Sequence, residues 1–230
     1  MSRWFETIRC WDGKLYNLSY HSKRLSRTIE ENFEIKSELD LKSVITVPDG
    51  CTKGVFRCRV LYEREIEKIE FVPHEYRAVN SLKLVEDDNI EYHYKCSDRS
   101  HLQVLYEQRG GCDDIVIVKN GFISDTLTAN LVLYKDGQWW TPDTCLLPGT
   151  QRARLLEENI ITETSITPMD LYQYDKIGLI NAMQDFDNMP QIPTQNIGLC
   201  RKNYWLYASL RGMIKKPAQL EKTYSAPLYR

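Results

Sequence analysis

Segments with a strand's period of two and segments with a helix's period of 3.6 follow one another in this chain without regular alternation, and that order restricts the fold most. A doubly wound parallel sheet needs strand and helix in strict succession, so the pattern predicts an α+β arrangement. Residues 5–10 and 15–18 read as short strands closed by Asp12-Gly13-Lys14, because Asp-Gly between apolar runs favours a tight hairpin. From Tyr20 to Phe33, Leu25 and Ile29 recur at helical spacing among charged residues, with Ser19 as N-cap. Residues 55–62 read as a strand that sends Val55, Arg57, Arg59 and Leu61 to one face, with 66–72 as its hairpin partner.

Pro73-His74-Glu75-Tyr76 breaks the pattern and sets the predicted boundary between a small N-terminal domain, 1–76, and a larger domain, 77–230. The second unit reads as a strand at 82–85, a helix at 98–108 closed by Gly110-Gly111, and strands at 114–118 and 131–134. Gly121 and Asp136-Gly137 mark hairpin turns. A helix at 151–159, a strand at 160–164, a short helix at 168–172 and a strand at 176–182 follow. The tail carries one amphipathic stretch, Tyr204 to Ile214, and a loosely held end from Lys215.

Composition matters here for what it excludes. A net charge of −2, with Lys and Arg spread along the chain, leaves no basic face for nucleic acid and no polybasic membrane patch. No apolar run approaches a membrane span. Seven cysteines, without CxxC pairs or zinc spacing, and no secretory segment at Met1-Ser2-Arg3-Trp4 predict a reducing cytoplasm and no metal. The histidines His21, His74, His93 and His101 have no ligand spacing either and read as structural or surface residues. Small anionic ligands remain.

Three separated segments carry chemistry suited to such a ligand. Lys95, after Tyr92-His93-Tyr94, offers an amine that a desolvated or cation-rich setting would free of its proton for Schiff-base formation. Asp125, in Ile123-Ser124-Asp125-Thr126 at a strand end, offers a carboxylate that can keep a ring nitrogen protonated. Leu147-Pro148-Gly149-Thr150-Gln151-Arg152 is a glycine turn opening a helix, a form that aims backbone N–H groups at a phosphate. Arg57 and Arg59, on one strand face, could clamp a substrate carboxylate.

The order of these pieces resembles the class IV aminotransferases, the fold type IV pyridoxal phosphate enzymes. The likeness runs through Phe5-Glu6-Thr7-Ile8-Arg9-Cys10, Asp12-Gly13-Lys14, His21-Ser22-Lys23-Arg24-Leu25, Lys95, Ser124-Asp125 and Leu147-Pro148-Gly149. It implies a small α/β domain and a larger, barrel-like α/β domain, with the site in the cleft between them, in a homodimer. It implies pyridoxal 5′-phosphate as cofactor, with Lys95 as the Schiff-base lysine and Arg24 as a phosphate ligand. Gly149, Thr150 and Gln151 become the phosphate turn, and Asn181-Ala182 a second phosphate-side loop. The family usually has glutamate where Asp125 stands, tyrosine where Ser100 stands, and a longer segment ahead of Phe5, so an N-terminally shortened fold is expected.

Within the family, Phe5-Glu6-Thr7-Ile8-Arg9 looks more like the aminodeoxychorismate lyase branch than the branched-chain aminotransferases, which tend to carry glycine at Thr7. On that likeness Lys95 and Thr7 are the catalytic residues, and Arg9 or Arg59, with Arg57, holds a small carboxylate substrate. The products are 4-aminobenzoate and pyruvate. A branched-chain or D-amino-acid aminotransferase is the alternative, and a non-catalytic dimeric binding protein is a third reading.

Overall fold

The computed structural model describes residues 3–37 and 39–198, so the Tyr204 to Ile214 stretch and the tail around it lie outside the described residues. Strands β1 (Trp4–Trp11), β2 (Lys14–Leu15), β3 (Val55–Tyr62) and β4 (Ile66–Pro73) form an antiparallel sheet in the order β2-β1-β3-β4. Asp12 (φ 47) and Gly13 (φ 76) both take the left-handed conformation that a two-residue hairpin turn needs. Helix α1 (Leu18–Phe33) lays Leu25 and Ile29 on Trp4, Ile8, Val60 and Tyr62. The one-turn helix α2 (Leu41–Val44) is capped by Asp40, whose side chain accepts from the Lys42 N–H.

Three expectations fail around the start of α1. The second strand ends at Leu15 rather than residue 18, and the helix begins two residues earlier than Tyr20. Asn17 is the cause: its left-handed backbone (φ 56) stops the strand and opens the helix, so Ser19 lies inside the first turn and is not the cap. The Asn17 amide makes no cap bond either, because it donates to Gln151 Oε1 at 3.1 Å.

The rest of the described chain holds β5 (Leu82–Glu86), α3 (Ser100–Glu107), β6 (Asp114–Lys119), β7 (Phe122–Ile123), β8 (Asn130–Lys135) and β9 (Gln138–Pro142). After these come α4 (Thr150–Glu157), β10 (Ile161–Thr164), β11 (Lys176–Ile180), β12 (Gln191–Pro193) and β13 (Ile197–Gly198). They make two sheets, β10-β9-β8-β11-β12 and β13-β5-β6-β7. Helices α3 and α4 serve as crossovers between the parallel pairs β5/β6 and β9/β10. The two sheets share a core of Leu82, Leu84, Val116, Leu131, Leu133, Ile177 and Leu179. Asn120-Gly121 and Asp136-Gly137 turn their hairpins with paired positive φ angles, as the sequence predicts. The mixed α+β class therefore stands.

Other boundaries shift. The helix expected over 98–108 is Ser100–Glu107, and that over 151–159 is Thr150–Glu157 with Gly149 at its cap. The segment around 168–172 is a 3-10 turn, Asp170–Gln173. The last long strand stops at Ile180, which frees Asn181 and Ala182 from the sheet. No helix among the described residues is long and apolar enough to cross a membrane.

Lys95 lies in neither helix nor strand. Its segment is laid along the open edge of β1, where Lys95 O accepts from the Phe5 N–H at 3.0 Å and the Ser97 N–H donates to Arg3 O at 2.8 Å. Tyr94 and Cys96 pack on the core of the first sheet. The chain thus pins the residue after Tyr94 against β1 while its neighbours lead into α3.

Candidate functional site

The Lys95 side chain opens into a cleft of about 430 Å³ between the first sheet and the two later ones. Its Nζ sits 5.0 Å from the centroid of the Phe5 ring. Loss of hydration there, helped by the charge of Arg24, pulls the Lys95 ammonium down to about 7 from its usual 10.5, against an opposing pull from Glu6. A substantial fraction of this amine is therefore neutral near physiological pH, the form that attacks a carbonyl.

Across the same cleft stands Asp125, which is buried. Burial pushes its carboxyl up to about 6, opposed by the Leu147 N–H and by Asn130. Asn130 Nδ2 donates both to Asp125 Oδ1 and to Leu147 O, each at 2.8 Å, while the Leu147 N–H donates to Asp125 Oδ2 at 2.9 Å. The carboxylate is thus fastened to the loop before α4. Gly149 completes the fit: a Cβ there would lie 2.0 Å from Asn130 Oδ1, so a side chain would push the loop off Asn130. The turn that the sequence offers as a phosphate cradle and the carboxylate it offers as a ring partner are one hydrogen-bonded unit.

On the other wall, Arg24 is held from β1. Glu6 Oε1 accepts from Arg24 Nε at 2.9 Å and Oε2 from Nη2 at 2.5 Å, while Arg24 Nη1 reaches Pro148 O at 3.3 Å. Glu6 Oε2 also meets His21 Nδ1 at 2.6 Å, and His21 Nε2 lies 3.3 Å from Thr150 Oγ1. Glu6, His21, Arg24 and Thr150 are all buried. Burial alone would raise the Glu6 carboxyl, but the Arg24 charge and the His21 hydrogen bond overcome it and hold the group at about 2.

At the mouth, Thr7 on β1 lies opposite Arg59 on β3, and both line the cleft with Arg57 and His74. Arg59 is exposed, 3.4 Å from Glu70, and stacks over Phe5 at 5.2 Å. Arg57 has a buried Nε without a partner among the described residues. Burial, then the Arg57 charge, lowers His74, so it is neutral at physiological pH.

Ten of the sequence-predicted residues meet in this one cleft: Thr7, Arg24, Arg57, Arg59, Lys95, Asp125, Gly149, Thr150, Asn181 and Ala182. Two do not line it. Arg9 faces Arg57 across the strand pair, but its guanidinium turns away onto the Tyr16 ring, 4.2 Å from the centroid, and donates to Asp185 at 2.7 Å. Gln151 is buried against Asn17. Among the described residues there is no cluster of His, Cys, Asp and Glu able to hold a metal ion.

Sequence reasoning missed Glu6, His21 and Asn130. His21 precedes Leu25 by one helical turn, so the apolar stripe that marks Leu25 and Ile29 as buried already includes it. Glu6 is a carboxylate inside an otherwise apolar strand, a placement that calls for a charged partner. Nothing local marks Asn130.

Residues 99–186 match the family described as amino-transferase class IV. A Haemophilus influenzae protein described as uncharacterized is 38% identical over 182 residues, 78% of this chain and 96% of that protein. A Haemophilus somnus crystal structure, provisionally named a 4-amino-4-deoxychorismate lyase, is 35% identical, covers 80% of this chain and 97% of its own, and superposes with a TM-score of 0.74. A hypothetical aminotransferase from Mycobacterium tuberculosis in its PLP-bound form is 15% identical, covers 90% of this chain and 87% of its own, and gives a TM-score of 0.68, a likeness of fold alone.

Proposed function

The chain belongs to the class IV aminotransferase family, a family of pyridoxal phosphate enzymes, and on that premise we propose that it is a 4-amino-4-deoxychorismate lyase releasing 4-aminobenzoate and pyruvate. The observation that carries the reading is one cleft holding a lysine at about 7 and a buried carboxylate fastened to a glycine turn. Those residues fit pyridoxal 5′-phosphate. Arg24, Thr150 and the N–H groups from Gly149 to Gln151 would hold the phosphate, with Asn181 and Ala182 closing its other side. Asp125 would face the ring nitrogen and Lys95 the aldehyde. When bound, the cofactor supplies an electron sink for the pair left as the substrate's α-proton departs.

The chain's own residues do the rest. Neutral Lys95 Nζ takes the proton from the carbon bearing the substrate amine and later returns a proton to the departing enolpyruvate carbon. Its modest basicity suits both transfers, because an acid–base group works best near the ambient pH. Arg59 and Arg57, at the mouth, would hold substrate carboxylate, with Thr7, opposite Arg59 on β1, as a further polar group of that wall. Asp125, whose two hydrogen bonds oppose the upward push of burial on its carboxyl, would balance positive charge at the ring nitrogen. A shorter side chain than the family's glutamate suffices if the Asn130 and Leu147 bonds set its reach.

Thr7 in the cleft wall favours the lyase over a branched-chain or D-amino-acid aminotransferase. The test is the acceptor requirement: pyruvate should appear from 4-amino-4-deoxychorismate with no 2-oxo acid added, whereas an obligatory 2-oxo acid identifies a transaminase. The proposal extends to a cytoplasmic homodimer in folate synthesis, with domains dividing at residues 76 and 77. A colourless protein that ignores added cofactor would instead fit a binding protein.

A further inference from the structure

Hydrogen-bond counting at the inner wall leaves one proton position open. Glu6 Oε2 lies 2.6 Å from His21 Nδ1, and an ionised carboxylate only accepts, so Nδ1 carries hydrogen. The other ring nitrogen, Nε2, faces the Thr150 hydroxyl at 3.3 Å. With Nε2 bare, the Thr150 hydroxyl must donate inward, and only its lone pairs face the cleft. With Nε2 protonated, the ring donates to Oγ1 and the hydroxyl hydrogen is free to turn outward. Thr150 and Arg24 both line the cleft.

We propose that His21 is a positioning residue of the anion cradle, which takes up a proton when a phosphate-like dianion binds beside Arg24 and so converts the Thr150 hydroxyl into a donor to that anion. The inference rests on the cradle assigned above. The charged groups facing the ring are Glu6 from β1, Arg24 from its own helix and Lys95 from the segment laid on β1, with the Thr150 hydroxyl approaching from α4. From the protein's own groups, burial first, then the Arg24 and Lys95 charges, oppose a second ring proton, outweighing Glu6. A dianion placed against Arg24 and Thr150 reverses that balance, since it adds negative charge on the side where Nε2 would carry the proton. By linkage, proton and anion must then favour one another's binding equally.

Sulfate is the probe, because it stays a dianion across the range where a phosphate titrates. Nitrogen NMR of histidine-labelled wild-type protein reads the ring directly, with the His21 signals identified by their loss in His21→Gln. Sodium chloride at matched ionic strength is the control. Across a pH titration, sulfate should raise the pH at which Nε2 takes up its proton by about one unit, equivalent to a roughly tenfold tighter sulfate affinity at low than at high pH. His101 and His93, both exposed, should not follow. Sulfate that binds without moving the Nε2 titration overturns the proton link and leaves the cradle standing. If sulfate does not bind at all, the cradle assignment fails and the link with it.

Discussion

The inner and outer ends of the cleft are built in opposite ways. Inside, Glu6, His21, Arg24, Thr150, Asp125 and Asn130 are buried and joined by hydrogen bonds of 2.5 to 3.3 Å, so the heavy atoms of each polar group are in place before any ligand arrives. At the mouth, Arg59 is exposed and stands 3.4 Å from Glu70, and Arg57 keeps a buried donor without a partner among the described residues. The difference is one of preorganisation. A group held by its neighbours loses little freedom when it binds, whereas a loose arginine adapts to what it meets. On the proposed reading, the rigid end takes the invariable cofactor and the pliable end decides between substrates.

Substitutions at the two ends should therefore fail differently, and the largest effect belongs to Lys95. Lys95→Ala should abolish the cofactor's absorbance band and lower turnover at least about a thousandfold, within the range for losing an acid–base group. Circular dichroism should stay unchanged, since Lys95 lies in neither helix nor strand and its side chain faces the cleft. Asp125→Ala should come next, with a loss of about a hundredfold in kcat at saturating cofactor, of the size seen when one fixed electrostatic partner is removed. A milder effect there would mean that the rigid end is not the cofactor's.

Two further outcomes sharpen the contrast. Because Lys95 titrates at about 7 and only the neutral amine condenses, cofactor capture should quicken about tenfold between pH 6 and pH 8 and then level off. A lysine in ordinary solvent would keep gaining to about pH 10, so stopped-flow absorbance distinguishes them. Gly149→Ala, which drives a methyl toward Asn130 Oδ1, should lower stability by about 1–3 kcal/mol in urea unfolding and weaken cofactor affinity with it.

The smallest effects belong to the mouth. Arg59→Ala should leave stability within about 0.5 kcal/mol and the absorbance band intact while raising KM by about tenfold. Arg57→Ala should do the same for KM. Unfolding curves beside kinetics check both, and loss of cofactor binding in either variant would erase the proposed division of labour.

How much of this was legible beforehand follows the range of the interactions. The three Xaa-Gly hairpins at Gly13, Gly121 and Gly137 were readable because a two-residue turn depends only on its own backbone. The end of β2 was not, because Asn17 takes a left-handed conformation while its amide reaches Gln151, 134 residues away. Of the ten candidate residues that converge, Arg57 and Arg59 share a strand face and Gly149 and Thr150 form a glycine turn at a helix start, all local signals, whereas Thr7, Arg24, Asn181 and Ala182 follow from the order of motifs along the whole chain. Arg9 shares its strand face with Thr7, but its guanidinium, resting on Tyr16 across the hairpin, is drawn off by Asp185, 176 residues away, which leaves no mark in the local sequence. The same holds for Asn130, whose two acceptors belong to segments 5 and 17 residues away.

The most direct measurement is to mix the purified protein with pyridoxal 5′-phosphate, reduce it with borohydride, digest it and map the stable adduct by mass spectrometry. The account predicts a single modified peptide with the label on Lys95, and none once Lys95 is alanine. Label spread over surface lysines, or a protein that leaves the cofactor unbound, would contradict it.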